Sequence, residues 1–200
     1  MMILQIGGNV RNIRKIKGFS IDEIRELTGL SKSTISDLEN DKSNPTIETL
    51  NRLSQALSID IIELFKKELN DTEPCNAVSN SIKLENKDNF IELISRDNTN
   101  DEDIERIALF YIIAENEDLY SNVEGIYNFE KHGITPYIAL SENGRYDFHG
   151  SSRSLLKIAY NLYDGYPADI LGTLYNLDEN DYRIALNAIN IRLRGNGIEI

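Results

Sequence analysis

Ser31 to Asn40 place Lys32, Ser33, Ser36, Asp37 and Asn40 where, wound as a helix, they surround a rod whose only large apolar residues are Ile35 and Leu38. Such a helix is a poor core element. Its ammonium, hydroxyl, carboxylate and amide groups are, however, the donors and acceptors that base edges pair with, and the major groove of duplex DNA is wide enough to admit an α-helix. No catalytic constellation competes with this one. HExxH, GxxxxGK[ST] and GxSxG are all absent, so zinc-peptidase, P-loop and hydrolase chemistry has no anchor and no enzyme is expected. The two histidines, His132 and His149, lack metal-ligand spacing, and neither a metal nor another cofactor is expected. The single cysteine, Cys75, cannot close an internal disulfide. It has no basic neighbour in sequence to lower its pKa, so it reads as an incidental thiol rather than a redox sensor.

The elements that must hold the polar helix can be read on either side of it. Ile6, Val10, Ile13 and Lys17 recur at helical spacing, with Arg11, Arg14 and Lys15 on other faces, which predicts a helix over 6–17 ended by Gly18. Ser20-Ile21-Asp22-Glu23 has the form of a capping box and opens a second helix, roughly 21–28. Gly29 supplies a left-handed turn, Leu30 can plug the angle between helices and Ser31 can cap the third helix. Asn44-Pro45-Thr46 starts a fourth, carrying Ile47, Leu50, Leu53 and Leu57; Ile61, Ile62, Leu64 and Phe65 offer a fifth that closes a small core.

Taken together, IGGNVRNIRKIKGFS, GLSKSTISDLEN and NPTIETLNRLSQAL make residues 6–65 resemble the Cro/CI-type (XRE-like) helix-turn-helix domain of phage repressors and bacterial regulators. The resemblance implies a five-helix, lambda-repressor-like DNA-binding domain. It also implies a sequence-specific transcriptional regulator, expected to be a repressor, that binds double-stranded DNA as a homodimer through helix 31–40. Carried over position by position, it puts Lys32, Ser33 and Asp37 at base-reading positions. Ser20, Thr34, Asn40 and Lys42 fall near the sugar-phosphate backbone, and Arg14 and Glu39 form an internal ion pair that is structural. Three positions depart from the family pattern: Ile21 stands where many members have a phosphate-touching Gln, Arg25 where a small residue is usual, and Asp41 where Gly is common.

A net charge of -12 is unusual for a DNA binder, but residues 1–69 carry ten Lys/Arg and ten Asp/Glu, whereas the rest carries 11 and 23. The acid excess thus belongs to a second part of the chain, which is repelled from DNA and kept soluble. Residues 1–69 are read as the DNA-binding domain, polar residues 70–81 with Pro74 as a linker, and 82–200 as a separate, mostly helical domain for dimerisation or for a protein, peptide or small-molecule effector. In that domain helices are expected around Phe90–Ile94, over 101–117, around Val123–Phe129, after a cap at Ser152 up to Gly165, and over 179–194, with a small hairpin at Asn143-Gly144. Residues 107–193 resemble small uncharacterised phage-type proteins, which implies no activity. All ten tyrosines lie beyond residue 110 and read chiefly as core, with a ligand or partner surface as the alternative. Self-cleaving phage repressors share the two-part layout, but their Ala-Gly or Cys-Gly cleavage dipeptide is absent here. No apolar run suits a membrane span, and MMILQI lacks the basic flank of a secretory signal, so a cytoplasmic protein is expected. The alternative function is an antitoxin or anti-regulator whose acidic domain binds a protein partner, with DNA binding used for autoregulation.

Overall fold

Residues 6–65, 82–141, 146, 148–195 and 198–199 are described by a computed structural model, and they are mainly helical. The expected linker over 70–81, Cys75 within it and the Asn143-Gly144 turn lie outside these residues. The chain divides into two compact units. No helix among the described residues is long and apolar enough to cross a membrane.

The first unit contains α1 (Ile6–Ile16), α2 (Ile21–Thr28), α3 (Lys32–Glu39), α4 (Ile47–Ala56) and a 3-10 turn, Ile61–Phe65. Ser20, Ser31 and Thr46 cap α2, α3 and α4, each hydroxyl accepting the backbone N–H three residues on. The capping box at α2 is complete: Ser20 N–H also donates to Glu23, which holds the Glu23 carboxyl below its ordinary range. Ile6, Val10, Ile24, Ile35, Leu38, Leu50, Leu53 and Leu64 form the core, and the fifth helix is reduced to that one 3-10 turn.

Gly7 sets how closely α1 approaches the end of α3. A Cβ there would lie 2.0 Å from the Leu38 carbonyl oxygen, which cannot be accommodated without moving the backbone. The Gly7 N–H, one of the unpaired donors of the first helical turn, instead meets Asp41 Oδ1 at 3.0 Å. Asp41 does adopt the left-handed conformation, at φ 52°. Its side chain therefore offsets a backbone cost by capping another helix. Gly7→Ala is expected to destabilise the first unit by about 1–3 kcal/mol through overpacking, measured as a lower urea midpoint with unchanged slope.

From residue 82 on, the order is β1 (Ile82–Lys83), α5 (Lys87–Asp97), α6 (Ile104–Glu115), α7 (Glu117–Ser121), a 3-10 turn, β2 (Tyr127–Asn128), β3 (Gly133–Ile134), α8 (Pro136–Ala139), α9 (Gly150–Asp164), α10 (Ile170–Tyr175), α11 (Glu179–Arg194) and β4 (Ile198–Glu199). Every residue of α6 from Ile107 to Glu115 is buried, because the helix is surrounded by α5, α9 and α11. It is apolar on all sides, as a central helix must be. Two short sheets complete the unit, β1 with β4 parallel and β2 with β3 antiparallel.

Three local readings need correction. The stretch Val123–Phe129 is not a helix: a 3-10 turn over Val123–Gly125 leads into the β2–β3 hairpin. Asn128 Oδ1 accepts the Lys131 N–H at 2.8 Å, and this side-chain turn together with His132 at φ 50° reverses the chain and defeats helix formation. Ser152 does not cap α9, which begins at Gly150 with His149 at the cap position. The helix over 101–117 begins at Ile104, with Asp103 accepting the Arg106 N–H as its cap.

Candidate nucleic-acid interface

Gly29, at φ 71°, ends α2 and turns the chain into α3 within three residues. Ile35, Leu38 and Glu39 are the buried residues of α3, whereas Lys32, Ser33, Thr34 and Asp37 are exposed. The helix thus rests on the core by a narrow stripe and turns its polar groups outward.

Arg14 and Glu39 brace it from beneath. Arg14 Nε donates to Glu39 Oε1 at 2.6 Å and Nη2 to Oε2 at 2.8 Å, a two-pronged pair, while Nη1 donates to the Phe19 carbonyl at 2.8 Å. Their side chains are 10% and 3% exposed. The hydrogen bond to Glu39 raises the Arg14 pKa, despite the desolvation that opposes it. Planar bidentate pairing ties α1 to α3 in one geometry.

The proposed contact residues differ in how free they are. Ser31 Oγ accepts the Thr34 N–H at 3.0 Å and lies 2.8 Å from both Ser33 Oγ and Thr34 Oγ1, so three hydroxyls form one exposed cluster at the start of α3. Asp37 is exposed, with no side-chain hydrogen bond or ion pair among the described residues. Asn40 is exposed and donates its side-chain amide to the Ser36 carbonyl at 2.6 Å. Lys42 is exposed, whereas Ser20 has both its N–H and its hydroxyl engaged by Glu23. Lys32 is held too: its Nζ lies 2.5 Å from Asp22 Oδ1. Sequence reasoning missed that contact, since Asp22 could be read only as a first-turn acid of α2.

A second polar cluster, in the other unit, also escaped the sequence. The Asp97 carboxylate is fully buried and accepts the Tyr127 hydroxyl at 2.9 Å and the Thr99 hydroxyl at 2.9 Å. His132 Nδ1 lies 2.8 Å away and Arg106 Nε 3.4 Å. Burial first, and then Asp97, push the Tyr127 hydroxyl far above its ordinary pKa, so it stays a neutral donor. Tyr127 also joins Phe110 and Phe129 in an edge-on and stacked aromatic cluster. Tyr111, Tyr127 and Tyr160 are wholly buried, which is core packing with satisfied hydroxyls; Tyr137, 94% exposed, is not. Near α5 and α6 a cavity of about 690 Å³ is lined by Glu85, Asn86, Asn89, Glu115, Asn116 and Asn180, among others.

Residues 10–64 match the family described as Helix-turn-helix, and this part of the chain is a DNA-binding domain of the XRE, or Cro/CI, type of transcriptional regulator. Residues 79–196, more than half of the length, match a Family of unknown function (DUF6075), and the chain belongs to that family. An uncharacterized HTH-type transcriptional regulator, y4dJ of Sinorhizobium fredii, is 37% identical over 59 residues, 30% of this chain and 77% of that protein. The HTH-type transcriptional regulator SinR of Bacillus subtilis is 36% identical over 69 residues, 34% of this chain but only 61% of SinR. Among solved structures, the restriction-modification controller protein C.AhdI from Aeromonas hydrophila shares 31% identity over 31% of this chain and 94% of that one, with a TM-score of 0.30.

Proposed function

We propose that this regulator is a sequence-specific repressor that reads its operator with α3. Lys32, Ser33 and Asp37 meet base edges, and Ser20, Thr34, Asn40 and Lys42 meet the sugar-phosphate backbone. The observation that carries this reading is the division of α3: its apolar stripe and Glu39 are buried and braced by Arg14, and its polar groups are left outward. Polar side chains on an exposed, rigidly backed helix are what direct readout requires.

A single small head makes few phosphate contacts, so specific binding calls for two. Two chains joined through their second units as a homodimer supply them, with residues 70–81 as the connection. Two heads read half-sites about 34 Å apart, or a multiple of that. Residues 1–69 alone are then expected to bind a duplex selected by the full chain at least about a hundredfold more weakly than that chain does. Equal affinity in a fluorescence titration at one salt concentration would show that the second unit adds no head. Such a protein works in the cytoplasm, where its DNA is.

The acid excess beyond residue 69 favours a second reading, in which that unit binds a protein partner and DNA binding serves autoregulation. Affinity purification from the native host separates the two: a stoichiometric second protein supports the partner, a homodimer alone the repressor. A small effector would be sought in the polar cavity beside Glu115, whose lining suits a polar or cationic group.

A further inference from the structure

The start of α2 carries two acids, Asp22 and Glu23, on the edge of the domain that also presents Ser20, Lys32 and Ser33. Glu23 is occupied with capping its own helix. Asp22 is not, and its Oδ1 faces two cations, with Lys32 Nζ at 2.5 Å and Arg25 Nε at 3.8 Å. All three side chains are about half exposed, at 55% for Asp22, 58% for Lys32 and 46% for Arg25.

In the DNA-free protein, then, the ammonium assigned to base reading already has an anion. Lys32 cannot keep that contact while engaging a duplex without carrying the Asp22 carboxylate towards phosphates of like charge. At a separation of about 4 Å such repulsion is appreciable even near water. The carboxyl is ionised at neutral pH, as an exposed aspartate is, and its hydrogen bond to Lys32 lowers its pKa further.

Resting on the reading of α3 as the recognition helix, we propose that Asp22 is an affinity-setting residue, an internal anion that competes with DNA for Lys32. Binding exchanges one partner of Lys32 for another. Arg25, one helical turn from Asp22, keeps the carboxylate paired after Lys32 leaves. The competition holds the single head to modest affinity on any duplex, random or cognate, and so makes occupancy depend on two heads acting together.

The test uses the full chain, a duplex of random sequence and a duplex selected by that chain from a randomised pool. Asp22→Asn is expected to tighten both about two- to fivefold, the range open to an exposed ion pair. In a Lys32→Ala background the same change should yield a clearly smaller gain, since the contested ammonium is gone. Thermal melting by circular dichroism checks that each variant is folded. An unchanged affinity overturns the proposal, as does an equal gain with and without Lys32, which would mean only general repulsion between acid and DNA. Weaker binding by Asp22→Asn also overturns it, because Asp22 would then be orienting Lys32 for DNA rather than withholding it. If the wild-type chain selects no duplex from the pool and does not bind random duplex even at low salt, the recognition-helix reading itself falls and takes this proposal with it.

Discussion

Glu39→Ala is expected to cost the first unit about 3–5 kcal/mol of stability, the largest effect of any single change considered, because Arg14 would remain buried with only the Phe19 carbonyl as acceptor. The loss would be read as a fall in urea midpoint, and DNA binding should decline only as far as the domain unfolds. A second variant separates the loss of an attraction from the stranding of a charge. Replacing both partners, Arg14→Met with Glu39→Leu, removes the attraction entirely yet leaves no buried charge, so most of the lost stability should return. If the double variant is as unstable as Glu39→Ala, the pair contributes through its attraction after all.

Lys32→Ala combined with Ser33→Ala should leave the fold almost untouched and remove sequence discrimination. Both side chains are exposed, and such surface changes usually alter stability by less than about 0.5 kcal/mol. Each well-made base contact is worth about 1–3 kcal/mol of discrimination, so losing two should cut the affinity ratio of selected to random duplex by about a hundredfold or more. Competition titrations at fixed salt measure the ratio. A large drop in melting temperature with the ratio preserved would place these residues in the domain's support rather than at its reading surface. Because Asp22 retains Arg25 at 3.8 Å, the variant does not leave that carboxylate alone.

The first unit was largely legible in sequence, since most of what defines it is local. A Ser or Thr hydroxyl reaching an N–H three residues on, a left-handed Gly29 and an apolar stripe repeating each turn are interactions within one or two helical turns, and they gave α1 to α4 to within a residue or two. The second unit was harder for the same reason. Its longest helices, α6, α9 and α11, could be recognised from apolar spacing. The brief α8 and α10 carry no such stripe, and the β2–β3 hairpin depends on one Asn side chain and a His in a left-handed turn.

The site divides along the same line. The sequence alone determined that a polar helix follows Gly29 and which of its residues turn away from Ile35 and Leu38, because helical periodicity settles both. The pairing of Arg14 with Glu39, 25 residues on, came from family resemblance rather than from spacing. Only the tertiary structure decided that Asp41 caps α1 from 34 residues away, that Asp22 holds Lys32, and that Asp97 gathers Tyr127, His132 and Arg106. Those contacts join groups from different helices and turns, whose meeting depends on how packed elements lie in space, and a carboxylate in a sequence gives no sign of which distant cation will reach it.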